Sequence, residues 1–155
     1  MGDKIPFKYG SKPVQSFKLD NKDDRATLGI QKFWNIDPAK PPKHSDRYIR
    51  YTNGKYGIVE LKPSALKYAP EQLKKSAEML VDAEKTVDYL IVVLEDLSAF
   101  EREHLYEVRN GILCKRSDGK PYPVLVGSRH LYVEVFRETQ VDNMWVGDNK
   151  LFGGS

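Results

Sequence analysis

The chain has 155 residues, 40% hydrophobic and 30% charged, with a formal net charge of +3; this is the composition of one ordinary globular domain with enough apolar material for a core. Its longest fully apolar run, Tyr89–Leu94, is far too short for a bilayer span, the first residues carry no apolar signal core, and Pro6 breaks the myristoylation pattern that Gly2 would begin. A single cysteine, Cys114, excludes an internal disulfide and a cysteine-rich zinc site, and His44, His104 and His130 are too far apart for a close-spaced metal motif, so an intracellular, cytoplasmic protein is the simplest reading.

Residues 1–50 hold eleven Lys/Arg against six Asp/Glu, and residues 51–155 fourteen against sixteen. A basic N-terminal segment (1–45) beside a balanced remainder suits a polyanion partner or a solvated arm equally well. That segment is polar and punctuated by Pro6, Pro13, Pro38, Pro41 and Pro42. Between them, Asp24–Ile36 carries Leu28, Ile30, Phe33, Trp34 and Ile36 at a spacing that fits either a helix or a strand.

Arg47–Tyr51 and Tyr56–Leu61 flank Asn53-Gly54, which predicts a β-hairpin. Pro63 breaks the chain after it. Pro70 suits the first turn of a helix, and Leu73, Ala77, Leu80 and Val81 predict an amphipathic helix over 70–84. Val87–Leu94 is nearly all apolar and predicts a strand buried on both faces. Strand, helix, strand makes a βαβ unit with parallel strands and a right-handed crossover. Ser98-Ala99-Phe100-Glu101 reads as a capping box opening a second helix that runs to about Arg109, closed by Asn110-Gly111. Ile112–Lys115, Val124–Val126 and Leu131–Phe136 read as further strands, with a turn at Ser117-Asp118-Gly119. Residues 141–155 read as a loose tail. The sum is an α/β fold: a mixed central sheet with flanking helices in one domain, 1–140.

Four Asp/Glu-x-Lys triplets occur: Asp20–Lys22, Glu60–Lys62, Asp118–Lys120 and Asp148–Lys150. Only Glu60–Lys62 lies in a predicted strand, where residues two apart share a face about 6.5 Å from each other. It ends a strand that feeds a helix, and ligands in open α/β sheets gather at such carboxyl ends. Gln72 falls in the first helical turn, whose unpaired N–H groups favour an anion. Hairpin register decides what joins them. A two-residue loop, Asn53-Gly54, sets Arg47 opposite Glu60 as a plain cross-strand ion pair. A three-residue loop with a bulge, Asn53-Gly54-Lys55, sets Tyr48 opposite Glu60 and Asp46 opposite Lys62. The second divides the hairpin more cleanly into a polar face (Asp46, Tyr48, Arg50, Ile58, Glu60, Lys62) and an apolar one (Ile49, Tyr51, Val59, Leu61), and is preferred.

Asp46, Glu60-Leu61-Lys62 ending an apolar strand, a helix carrying Gln72, and a buried apolar strand together resemble the PD-(D/E)XK nuclease superfamily over roughly residues 44–95. The resemblance implies a restriction-endonuclease-like core. It implies that Asp46, Glu60 and the Leu61 carbonyl bind Mg2+ or Mn2+, that Lys62 positions the attacking water, and that Gln72 matches the helical glutamine of the exonuclease and resolvase branches. Ser45 stands where the motif has proline, and Asp23 or Asp24 would be the acid that many members carry on a preceding helix. The implied activity is hydrolysis of a phosphodiester backbone, DNA above all, with a homodimer left open.

Carboxylates suit such a metal, which prefers oxygen ligands, and a lysine adds positive charge beside the transition state. Tyr48, Arg50, Lys74 and Lys75 are weaker candidates for nucleic-acid contact; each is as readily a covering ring or a solvated charge. His44 is a weak candidate general base, and Cys114 reads as a buried small hydrophobe. Two other functions stay open: a non-catalytic nucleic-acid- or protein-binding domain on the same fold, and an unrelated α/β domain with Glu60–Lys62 as surface decoration.

Overall fold

The computed structural model describes residues 6, 8, 11–18, 47–61, 66–82, 84–95, 104–138 and 148–149. They form nine strands and one α-helix: β1 (Pro13–Lys18), β2 (Arg47–Tyr51), β3 (Tyr56–Leu61), α1 (Ala69–Asp82), β4 (Tyr89–Leu94), β5 (Tyr106–Arg109), β6 (Ile112–Lys115), β7 (Pro123–Val126), β8 (Arg129–Arg137) and β9 (Asp148–Asn149). The sheet runs β5-β6-β8-β4-β3-β2-β1-β9, with β7 paired to β8 off this path. No helix among the described residues is long and apolar enough to cross a membrane.

The centre is the predicted one. All six side chains of β4 are buried, and β4 lies parallel to β3 on one side and to β8 on the other. A strand without polar alternation needs cover on both faces, and it has it. On the first face Tyr48, Ile58, Leu90, Val92, Val133 and Val135 pack with Leu73, Ala77 and Leu80 of α1. On the second, Ile49, Tyr51, Val59, Tyr89, Ile91 and Val93 pack with Leu61 and Phe136. The helix ends because Glu84 takes a left-handed φ of 63°. This lets Lys85 N–H reach Leu80 O at 2.8 Å and Glu84 N–H reach Val81 O at 3.0 Å, the paired closure of a Schellman motif.

The structure adds to or departs from the sequence reading in three places. Tyr106–Arg109 is a strand, not the end of a helix: Asn110 (φ 51°) and Gly111 (φ 75°) form a two-residue hairpin turn that pairs Arg109 with Ile112. Asn-Gly serves a type I′ turn as readily as a helix stop; Tyr106 and Val108 pack against the first-face core, and that burial selects the strand. The capping box at Ser98–Glu101 and the segment Asp24–Ile36 lie outside the described residues. Second, the basic N-terminal segment contributes β1, antiparallel to β2, with Pro13 at its first position, where a strand tolerates the missing N–H. Third, Asp148 and Asn149, in the stretch read as a loose tail, pair parallel with Ser16 and Phe17 of β1.

The second face carries a buried charge. Lys8 and Ser11 exchange backbone hydrogen bonds of 3.0 and 2.8 Å, which turns the chain so that Lys8, only 4% exposed, meets Glu134 of β8 in an ion pair. Its ammonium also lies 4.9 Å from the centroid of the Tyr89 ring, and the Tyr51 hydroxyl donates to Pro6 O at 3.0 Å. Removing one member of a buried pair strands the other charge, at a cost of about 3–5 kcal/mol, whereas replacing both with apolar groups is often neutral. Urea unfolding should therefore show Lys8→Met strongly destabilised and Lys8→Met/Glu134→Leu largely restored; a single variant within about 1 kcal/mol of wild type would show that the pair does not hold this segment down.

Candidate active site

The hairpin adopts neither expected register. Its loop is Thr52-Asn53-Gly54: Gly54, at φ 81°, donates to Tyr51 O at 3.0 Å, and Tyr51 N–H donates to Lys55 O at 2.9 Å. Asn53 Oδ1 also accepts from Lys55 N–H at 2.9 Å. This is a type I turn followed by a left-handed glycine, the usual three-residue hairpin loop. The glycine decided the register, because it must occupy the left-handed position and so begins the loop one residue earlier than the bulged alternative. Arg47 then opposes Val59, and Tyr48 opposes Ile58.

Side-chain parity is nevertheless that of the preferred register: Tyr48, Ile58 and Glu60 share one face, Ile49, Tyr51, Val59 and Leu61 the other. At Tyr48, Ile58 and Glu60 the expected polar face is covered rather than solvated. Tyr48 and Ile58 lie under α1, and Glu60 is only 7% exposed. Glu60 sits beside Val92 of β4 and engages in interactions within the protein. Leu61 places its side chain against the second core. Gln72, in the first turns of α1, is half-buried beside the fully buried Leu73. Since α1 follows β3 and returns to the start of β4, its N-terminus stands at the carboxyl end of β3, so Glu60, Leu61 and Gln72 belong to one end of the sheet. Asp46 and Lys62 lie outside the described residues, as do His44, Ser45, Asp23 and Asp24.

Among the described residues no three His, Cys, Asp or Glu side chains gather to hold a metal ion. Glu60 offers a carboxylate and Leu61 a carbonyl, hard oxygen donors of the kind Mg2+ and Mn2+ take; a complete set needs a second acid.

The nucleic-acid candidates fare less well. Tyr48 is 2% exposed; its ring stacks on Tyr56 at 5.0 Å and its hydroxyl donates to Thr86 O at 2.6 Å, so it covers the core and cannot receive a base. Arg50 opposes Tyr56 at the hairpin end of β2, away from Glu60, and donates to Gln15 Oε1 at 3.1 Å. Lys74 and Lys75 are exposed and pair along the helix with Glu78 (3.8 Å) and Glu71 (3.2 Å), as solvated helical charges do. Cys114 is buried, as expected.

One residue at the right end was not singled out from sequence. Leu94 pairs with Arg137 in β8, and Val133 and Val135 belong to the first face, so Arg137 projects on the Glu60 face, exposed. The alternation Val133, Val135, Arg137 was readable; that this face is shared with Glu60 depends on β8 pairing with β4.

Burial pushes the Tyr48 and Tyr51 hydroxyls well above the ordinary tyrosine value of 10.0. Below pH 10 both are protonated in folded and unfolded chains alike. Above it only the unfolded chain releases these protons, so the stability they contribute is lost as pH rises. In an alkaline titration followed by tyrosinate absorbance and circular dichroism, a late fraction of the nine tyrosines should ionise only as the fold is lost, and Tyr48→Phe should reduce that fraction. Ionisation of every tyrosine near pH 10 with the fold intact would contradict the buried placement.

No family model, curated protein or solved structure matches this chain.

Proposed function

We propose that this chain is a divalent-metal-dependent nuclease that hydrolyses a phosphodiester backbone, DNA in the first instance, on a restriction-endonuclease-like core. The observation that carries this reading is Glu60: a carboxylate 7% exposed at the carboxyl end of a strand that is paired on both sides and runs on towards the start of a helix. Burying a carboxylate is costly unless it is paired, hydrogen-bonded or metal-bound, and apolar neighbours would have served packing better. The order of hairpin, helix and parallel strand is also the order on which the sequence resemblance rests.

In this reading the Glu60 carboxylate and the Leu61 carbonyl hold the cation with Asp46. That requires β2 pairing to extend one residue in its existing register, which sets position 46 opposite Glu60. Bound Mg2+ or Mn2+ supplies an acidified water and positive charge against the phosphoryl oxygens. Lys62 adds a fixed positive charge near the attacked phosphorus, and Gln72 orients substrate or water from the helix start. The burial of Glu60 also suits a second reading, a non-catalytic binding domain in which this carboxylate only braces the sheet end.

Cleavage assays separate the two. Wild-type protein with Mg2+ or Mn2+ should cut at least one of single-stranded, duplex or branched DNA, or RNA. Glu60→Gln and Lys62→Ala should each lose about 10²–10⁴-fold in rate while keeping the wild-type circular dichroism spectrum, and Gln72→Ala should lose less. Activity that persists in Glu60→Gln would move the site elsewhere; absence of cutting on every substrate with either metal would leave the binding-domain reading.

A further inference from the structure

Between β3 and α1, Leu66–Tyr68 is a short 3-10 turn that leads directly into α1. It therefore stands at the same end of the sheet as Glu60. Tyr68 is 51% exposed, with the Lys67 ammonium 5.0 Å from its ring centroid. Tyr48 and Tyr51, by contrast, are spent on the core. On the other side, Arg137 shares the Glu60 face two strands away, roughly 10 Å across the sheet and one side-chain row further out. It is exposed, and among the described residues it makes no ion pair, unlike Lys74, Lys75 and Arg129.

We infer that this end of the sheet binds a single strand of nucleic acid, with an unpaired base stacked on Tyr68 and backbone phosphates against Lys67 and Arg137. An aromatic face beside separated cations is how sequence-tolerant single-strand sites are built: the ring takes any base and the cations follow the backbone. A duplex offers no unstacked base to such a ring, so the surface selects single-stranded or frayed substrate. The location rests on the nuclease reading above, since it is the proposed Glu60 site that this strand would cross.

The test uses the full chain and a fluorescent oligothymidylate, with divalent metal chelated so that binding is read without cutting, against a duplex of equal length. The single strand should bind more tightly than the duplex. Tyr68→Ala should weaken it by about 5- to 150-fold, the range expected for one stacked base, while Tyr68→Phe retains binding. Arg137→Gln should lower the slope of log affinity against log salt by about 0.7, as for one lost phosphate contact on a single strand. Circular dichroism guards against misfolding. Equal or tighter duplex binding, or a Tyr68→Ala variant indistinguishable from wild type, overturns the inference; if Glu60-dependent cutting survives in that case, the nuclease reading stands without it. Tyr68-dependent single-strand binding with no cutting under metal supports the strand surface and removes the nuclease.

Discussion

Burial of β4 on both faces is the constraint on which the rest of the molecule depends. Six consecutive apolar side chains cannot be satisfied by a sheet with one wet face, so two separate covers must be found. The first is α1, amphipathic and held between β3 and β4 by the parallel crossover. The second face draws in Pro6 and Lys8 from the other end of the sequence: Tyr51 bonds to the Pro6 carbonyl, and Lys8 spans Tyr89 and Glu134. A buried lysine is a costly way to cover apolar surface, and it is tolerated because its ammonium gains both a carboxylate and an aromatic face.

The two ends of the parallel strands are built differently. At the amino end several polar groups are bonded to near neighbours. Asp88 N–H donates to Tyr56 O at 2.7 Å and Asp88 Oδ2 accepts from Tyr56 N–H at 3.0 Å. Arg129 donates to Val87 O at 3.1 Å and to Asp88 at 3.3 Å, and Tyr48 closes on Thr86. These bonds tie β2, β3, β4 and β8 together at this end. The carboxyl end holds Glu60, Gln72, Tyr68 and Arg137, groups with chemistry to offer.

What the sequence by itself determined is the local pattern. The run Tyr89–Leu94 had to be an interior strand because no position in it tolerates water, and the spacing of Leu73, Ala77 and Leu80 had to be a helix with one buried stripe. Asn53-Gly54 had to be a hairpin, and the alternation through it correctly divided Tyr48 and Glu60 from Ile49 and Val59, since parity survives a register shift of two. Glu60 stood out for the same local reason: of the four Asp/Glu-x-Lys triplets, only its own lay in a stretch that reads as a strand from sequence.

What only the tertiary structure decided is everything that depends on which surface meets which. Tyr106–Arg109 and Asn110-Gly111 fit a helix end or a hairpin equally well until packing of Tyr106 and Val108 against the core chose the strand. Pro13–Lys18 and Asp148–Asn149 are too polar to announce themselves, and they are strands only because β2, and then β1, offers an open edge. Whether the face of Tyr48 and Glu60 was wet or covered was not a property of the hairpin; α1 lies on it, so Tyr48 became core and Glu60 a buried carboxylate. Arg137 acquired its place beside Glu60 from the pairing of β8 with β4. Such pairings join residues far apart in the chain, from Lys18 with Arg47 to Ser16 with Asp148, and periodicity within a segment carries no information about its partner.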